Sequence, residues 1–183
     1  MIQIVLHLFK KVLRYVLVPL LVIALLWSAY FLLYGNFHKV DKDIYRSAQL
    51  FSHNMPYYIE KHKIKSIINL RGESKRSWYK NEIAFAKEHN ITMIDYGIGD
   101  REMLPLNKMD ALLDIMKKAP KPLLIHCKAG ADRTSLASAL YVYDKTGDKN
   151  PSMGFSLRYG HFPWLGSKTV AMDKSFAEYK QKR

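Results

Sequence analysis

Hydrophobic and polar residues are distributed very unevenly along this chain of 183 residues. Residues 15–34 form an uncharged run, YVLVPLLVIALLWSAYFLLY, whereas apolar and polar positions alternate in short blocks from residue 39 onward. At about 1.5 Å per residue, a helix as long as this run spans roughly 30 Å, the hydrocarbon thickness of a bilayer. The pattern predicts a basic N-terminal segment (1–14), a transmembrane anchor (15–37) and one domain (39–183).

The length and flanking residues of the apolar run indicate whether it is cleaved and which side of the membrane the domain faces. The run exceeds the core of a signal peptide and lacks a small-x-small cleavage site, which favours an uncleaved anchor. Three basic residues and no acidic one precede it, two basic residues follow by position 42, and Arg46 makes the two counts equal. The positive-inside rule therefore gives a slight preference for a single-pass inner-membrane protein whose domain faces the periplasm or outside. The sequence leaves the cytoplasmic orientation open.

In the domain, short apolar blocks alternate with longer amphipathic blocks. Because strands that alternate with helices form parallel sheets, the pattern predicts an α/β fold with a mainly parallel central sheet flanked by helices. The predicted strands are 65–70, 91–94 and 123–125, and the predicted helices are 77–89, 106–118 and 134–143, followed after Asn150-Pro151 by a helical region over roughly 151–181.

Composition narrows the class of partner. After the anchor, the chain keeps 26 basic and 16 acidic residues, a net charge of +10, which favours anionic partners or an anionic membrane surface. No signature of a DNA-binding or RNA-binding module accompanies this charge, so we expect no nucleic-acid partner. The single cysteine, Cys127, excludes an internal disulfide and any multi-cysteine metal site. We expect no metal and no cofactor.

The segment from Leu123 to Thr134, LLIHCKAGADRT, carries the most specific chemistry. A strand runs here into a loop that opens a helix, so backbone N–H groups and the helix dipole point to one place and can bind a phosphate. Cys127 stands at the entrance of the loop, and Arg133 follows six residues later with a planar fork that can hold two phosphate oxygens. A helix N-terminus and a guanidinium favour the thiolate form of a cysteine, and Gly130 permits a tight turn.

The residues His126-Cys127-x-x-Gly130-x-x-Arg133-Thr134 match the signature of the cysteine-dependent protein-tyrosine and dual-specificity phosphatases. The chain most resembles the small bacterial, often membrane-anchored members of the dual-specificity branch, and further resemblance lies in residues 45–49, 68–71 and 100–105. The resemblance covers roughly residues 40–145. One departure is Ser135, which stands where many relatives have glycine.

The resemblance implies a role for each residue of the segment. Cys127 would attack phosphorus to form a phosphocysteine, Thr134 would help the sulfur to leave, and His126 would orient the loop. The family pattern favours Asp100, on a loop after two glycines, as the general acid, and Asp95, at the end of a strand, is the alternative. The phosphate-binding residues would be Lys128, Ala129, Gly130, Ala131, Asp132 and Arg133.

Several alternatives stay open at the level of sequence. Cys127 could be a buried structural residue, or the domain could bind phosphate without turnover. Asp132 either pairs with a neighbouring base or water or faces outward, and the 156–164 segment either contacts substrate or membrane or packs as an ordinary helix end. The substrate is either a phosphorylated protein or an anionic phospholipid or glycolipid, and the oligomeric state is not determined.

Overall fold

The computed structural model describes residues 2–150, 154–164 and 166–183. It divides into two compact units that meet in the sequence between Tyr34 and Gly35. The first unit consists of α1 (Ile2–Val12), a π-helical turn (Leu13–Leu17) and α2 (Val18–Tyr34). Its stretch Lys10–Phe31 is unburied, and it is long and apolar enough to cross a membrane, a property that membrane spans share with signal sequences. The second unit begins four residues before the predicted domain start at residue 39.

The second unit is built on a five-stranded sheet in the order β1-β2-β5-β3-β4. Only β1 is antiparallel to its neighbour, and the other three pairings are parallel, which confirms the predicted α/β fold. The strands are β1 (His38–Asp41), β2 (Ile44–Ser47), β3 (Ser66–Asn69), β4 (Thr92–Asp95) and β5 (Leu123–His126).

Helices cover both faces of the sheet because successive strand residues point to opposite sides. Ile68 and Ile125 pack in one core with Met109 and Leu140, whereas Leu124 belongs to a second core on the opposite face. Full burial of such a side chain contributes about 1.5–3 kcal/mol. The helices are α3 (Met55–His62), α4 (Ser77–Glu88), α5 (Leu106–Lys118), α6 (Asp132–Thr146) and α7 (Val170–Lys182), with a 3₁₀ turn at Leu157–Tyr159.

The predicted elements agree with the observed ones except near the two ends of the domain. The pattern did not indicate α3, and it did not mark β1 or β2 as a strand; residues 45–49 entered only through the family resemblance. The helical region predicted over roughly 151–181 was wrong at 154–164 and 166–169, where Gly160 and Gly166 adopt left-handed conformations that interrupt a helix. Pro151 lies outside the described residues.

The topology gathers the loops that matter at one edge of the sheet. Strands β2, β3, β4 and β5 are mutually parallel, so their carboxyl ends lie on the same side. Ligands bind in α/β proteins at this edge. The residues that follow these strands are therefore close in space: 48–50, 70–72, 96–100 and 127–131.

Candidate active site

Cys127 lies at the centre of this edge, directly after β5. Its side chain is buried, with 2% of the residue exposed, and α6 begins five residues later at Asp132. Between them, Gly130 adopts a left-handed conformation with φ of 68°. A Cβ atom at Gly130 would lie 2.6 Å from the backbone nitrogen of Ala48, so only glycine fits this turn.

Three consecutive carbonyls of the loop are held by the N-terminal part of the domain. The carbonyl of Lys128 accepts from the backbone N–H of Gln49 at 3.2 Å, and that of Ala129 accepts from Asn36 Nδ2 at 3.0 Å. The carbonyl of Gly130 accepts from Arg46 Nη2 at 2.8 Å. In a trans peptide the N–H points opposite to the C=O, so the following three amides point away from these partners.

The start of α6 adds donors to the same loop. The first backbone bond of the helix is from Ser135 N–H to the Ala131 carbonyl at 3.0 Å, and no side chain caps the helix. The amides of Asp132, Arg133 and Thr134 therefore have no intrahelical acceptor. Together with the loop amides they form a concave set of N–H donors, which is the local geometry of an anion site.

Arg46 is a fully buried residue that the sequence analysis did not single out. Its Nη2 also donates to Ser135 Oγ at 2.9 Å and its Nη1 to the Gly154 carbonyl at 3.2 Å, and its guanidinium lies 3.9 Å from the centre of the Tyr159 ring. Burial lowers its pKa to about 10, so it stays charged at neutral pH. These contacts also explain Ser135, whose hydroxyl accepts a bond that a glycine could not.

Arg133 lies where its guanidinium can face an anion in the loop. Its Nη1 donates to the carbonyls of Leu70 and Ile98 at 3.3 and 3.4 Å, which fixes the plane of the group. Among the described residues, its buried Nε and the buried hydroxyl of Thr134 have no hydrogen-bond partner. Buried polar groups are normally paired, so these two donors indicate a ligand that accepts hydrogen bonds.

The two candidate acids have different surroundings. Asp95 accepts from Asn69 Nδ2 at 2.7 Å and from the Tyr79 hydroxyl at 2.5 Å. Burial, together with the bond to Asp95, raises the pKa of Tyr79. Asp100 instead lies 3.5 Å from Arg133 Nη2, with 38% of its side chain exposed. Only Asp100 of the two therefore contacts the Cys127–Arg133 loop in the hydrogen bonds and ion pairs of the described chain.

His126 belongs to a buried polar group beneath the loop. Its Nε2 lies 3.1 Å from Glu82 Oε1, and its Nδ1 lies 3.3 Å from the Cys127 carbonyl. Burial alone would raise the pKa of Glu82, but His126 and a bond to Gln49 outweigh that effect and lower it. Gln49 Oε1 also accepts from Arg71 Nη1 at 2.9 Å, so the polar group reaches the rim of the site.

The remaining predicted residues divide between rim and interior. Lys128 and Ala129 are exposed, whereas Ala131 is buried. Asp132 accepts from His161 Nδ1 at 2.7 Å, so it pairs with a base. The 156–164 segment thus contributes one buried side chain to the loop and exposes Phe162 and Trp164.

Sequence reasoning missed Asn36, Arg46, Gln49 and Glu82, all buried and polar. A single sequence does not distinguish a buried polar residue from a solvated one, and only the run from 45 to 49 gave a partial signal through its family resemblance. No group of three or more His, Cys, Asp or Glu residues in the described part of the chain could hold a metal ion.

Comparison with known proteins identifies relatives of the domain. Over 104 residues, the chain is 32% identical to the inositol diphosphatase DSP1 of Oryza sativa subsp. japonica; the match covers 54% of this chain and 45% of that protein. The chain thus spans less than half the length of this relative.

Solved structures share the fold. The core catalytic domain of the PP-IP phosphatase SIW14 from S. cerevisiae aligns with a TM-score of 0.58 and 22% identity, over 76% of this chain and 85% of that one. TpbA from P. aeruginosa aligns with a TM-score of 0.55 and 17% identity, over 81% and 84%. A sequence profile of the tyrosine phosphatase family matches residues 32–139, which include both the loop supports and the Cys127–Arg133 loop. The chain belongs to the tyrosine phosphatase family.

Proposed function

We propose that this chain is a membrane-anchored phosphatase of the protein-tyrosine/dual-specificity type, which hydrolyses phosphomonoesters through a phosphocysteine intermediate. The observation that carries the proposal is that the carbonyls of residues 128, 129 and 130 all accept hydrogen bonds from residues outside the loop. It leaves successive amides and the Arg133 guanidinium to face an anion above Cys127. Donors fixed in this way stabilise charge on a transferred phosphoryl group without reorganising during the reaction.

In the first step, Cys127 Sγ attacks phosphorus. A sulfur–phosphorus bond forms, the bond from phosphorus to the ester oxygen breaks, and the leaving oxygen takes a proton from Asp100. Arg133 and the loop amides hold the three other phosphate oxygens. The 3.5 Å separation of Asp100 Oδ2 from Arg133 Nη2 supports this assignment because Arg133 is the side chain proposed to hold the phosphate.

In the second step, water attacks the phosphocysteine. Asp100, now ionised, takes a proton from the water, the sulfur–phosphorus bond breaks, and inorganic phosphate leaves. The buried Thr134 hydroxyl, which has no hydrogen-bond partner in the described part of the chain, is available to donate to the departing sulfur. Each step then uses groups that the fold already holds in place.

Trapping the intermediate tests the chemistry. The full chain in detergent is mixed with a phosphotyrosine peptide, quenched, and digested for mass spectrometry. We expect one phosphoryl group on the Cys127 peptide, none in Cys127→Ser, and slower dephosphorylation in Asp100→Asn. Asp95→Asn is the matched control, which should turn over the intermediate at the wild-type rate. Phosphate binding without a phosphocysteine or phosphate release would instead support a binding module.

A phosphorylated membrane lipid is a second candidate substrate, and the position of Asn36 favours it. Asn36 binds the loop carbonyl of Ala129 and is only two residues beyond Tyr34, the last residue of α2. At about 3.8 Å per residue, Tyr34 lies within about 8 Å of Asn36 whatever direction the helix takes. If α2 spans a bilayer, the residue that holds the Ala129 carbonyl follows the membrane-spanning helix directly in the sequence, and the net charge of +10 after the anchor favours an anionic surface.

Competing substrates decide between these classes. The reconstituted chain is offered a phosphotyrosine peptide, vesicles that carry a phosphorylated lipid, and a soluble inositol diphosphate, the last because the rice relative is an inositol diphosphatase. Cys127-dependent release that prefers vesicles supports the lipid class, and a preference for peptide contradicts it. Carbonate extraction and protease protection of sealed membranes test the anchor and the proposed outward orientation.

A further inference from the structure

A buried histidine between two carboxylates connects the phosphate loop to the C-terminal part of the chain. His161 is 2% exposed, and its Nδ1 lies 2.7 Å from Asp132 Oδ1 while its Nε2 lies 3.0 Å from Asp173 Oδ2. Asp132 is the first residue of α6, and Asp173 lies in the first turn of α7. The two acids therefore approach one imidazole from two helices.

The location of Asp132 is chemically unusual. It lies between Gly130 and Arg133, inside a loop whose amides and guanidinium are arranged for a phosphate dianion. An ionised carboxylate at this position repels such an anion. A cation beside Asp132 cancels most of that repulsion, and His161 is the titratable group in contact with it among the described residues.

We propose that His161 is a positioning residue of the phosphate site. Its protonated ring, held between Asp132 and Asp173, keeps the Asp132 carboxylate turned away from the loop and offsets the negative charge of that carboxylate. Phosphate binding therefore requires the charged ring. This inference rests on the proposed function, since it concerns the same site.

The surroundings of the ring support the charged form. Burial lowers the pKa of His161, but the bonds and charges of Asp132 and Asp173 outweigh burial and raise it above its ordinary value. Asp132 from α6 and Asp173 from α7 are the charged groups that act on it, and Phe155 presents an aromatic ring 4.9 Å away. A raised pKa means that the ring is charged at low pH and loses its proton as the pH rises through the raised value. Anion affinity should then fall on the alkaline side.

The first test measures binding of tungstate, an oxyanion whose charge stays constant from about pH 6.5 to about pH 9, a range in which a perturbed histidine titrates. Calorimetry on the full chain in detergent compares wild type with His161→Gln and with the double variant Asp132→Asn/His161→Gln. We expect His161→Gln to bind roughly tenfold more weakly at the acid end of this range. The double variant should regain at least half of the loss in the logarithm of the tungstate association constant, because it lacks the negative charge of Asp132. His89→Gln, which removes an exposed imidazole directly after α4, should bind like wild type.

The pH profile separates this role from a merely structural one. Tungstate affinity of wild type should fall with rising pH, that of Asp132→Asn should stay flat, and that of Asp173→Asn should fall at lower pH because one carboxylate no longer favours the charged ring. Equal weakness of the single and double variants would show that His161 acts only through folding and would overturn the proposal. So would wild-type affinity in His161→Gln.

The remaining outcomes also decide the question. If His161→Gln does not fold, the Asp173→Asn profile decides alone, and an unshifted profile overturns the proposal. If no substrate is turned over but tungstate binding follows the expected pattern, the inference holds while the proposed catalysis fails. If wild type does not bind tungstate at all, both fail.

Discussion

Two left-handed glycines near the ends of α6 allow a matched test of the phosphate loop. Gly130 has φ of 68° and lies before the helix, while Gly147 has φ of 71° and caps its C-terminus. A Cβ at Gly130 would lie 2.6 Å from Ala48 N and 2.7 Å from the Ser47 carbonyl, whereas a Cβ at Gly147 meets nothing within 4 Å. Alanine at the two sites therefore imposes the same backbone strain but a very different contact.

The size of the effect follows from this geometry. A left-handed alanine costs roughly 1 kcal/mol at either site. At Gly130 the clashing atoms are backbone, so loop or strand must move by about 0.8 Å to restore an ordinary 3.4 Å contact, and overpacking costs a further 1–3 kcal/mol or so. Because misplacement of reacting groups by about 1 Å costs roughly a hundredfold in rate, we expect Gly130→Ala to lose about that much kcat/KM and Gly147→Ala less than threefold.

The assay measures phosphate release from p-nitrophenyl phosphate and tungstate affinity on the full chain in detergent, with thermal unfolding of both variants. Gly130→Ala should fold yet lose anion binding. Gly147→Ala should lose only the stability that a left-handed alanine costs at either site and should bind the anion like wild type. Equal activity in the two variants would refute the reasoning. It would mean that the loop tolerates the shift and that the close approach to Ala48 does not set its shape.

Three further predictions concern the acid, the buried arginine and stability. Asp100→Asn should lower kcat for the phosphotyrosine peptide by about 10²–10⁴-fold, whereas Asp95→Asn should lower the melting temperature and leave kcat near the wild-type value. Arg46→Met leaves three buried acceptors unpaired, and each unpaired acceptor costs about 1–3 kcal/mol. Denaturant unfolding should therefore show that the free energy of unfolding falls by about 3 kcal/mol or more. A decrease below about 1 kcal/mol would contradict this account. Burial and, to a smaller extent, the charges of Arg46 and Arg158 lower the pKa of His38 to about 4. The contribution of His38 to the free energy of unfolding is therefore complete above pH 6.5 and declines as the pH falls towards 4. The free energy of unfolding of His38→Gln, measured as a function of pH, should lack this decline.

Much of the fold could be predicted because its signals are local. Leu106–Lys118 carries a helical apolar period and ends before prolines, and the helix has those same bounds in the structure. The Cys127–Arg133 loop could be recognised because its residue types stand at the fixed spacing of a family signature. In contrast, α3 is short and contains Pro56 and charged residues, so its pattern resembles that of a loop.

The supports of the site could not be predicted because they depend on long-range pairing. Asn36 contacts Ala129 across 93 positions and Arg46 contacts Gly130 across 84. Nothing in the local pattern marks Asn36, whose left-handed φ of 48° turns its side chain toward the loop. The pairing of Asp132 with His161, 29 positions apart, is likewise set by how the C-terminal segment packs on α6.

The contact between Asn36 and the loop also bears on how a soluble fragment of this protein should be made. A fragment that starts at residue 39, the boundary that the hydrophobic pattern favours, keeps β2 to β5 and the whole Cys127–Arg133 loop. It lacks the first residue of β1 and the donor to the Ala129 carbonyl. Such a fragment is expected to fold and yet to bind phosphate poorly, and its inactivity would be mistaken for the absence of an enzyme. Cleavage should therefore be placed before Gly35, whose carbonyl accepts from Ala48 N–H and joins this entry segment to the base of the loop.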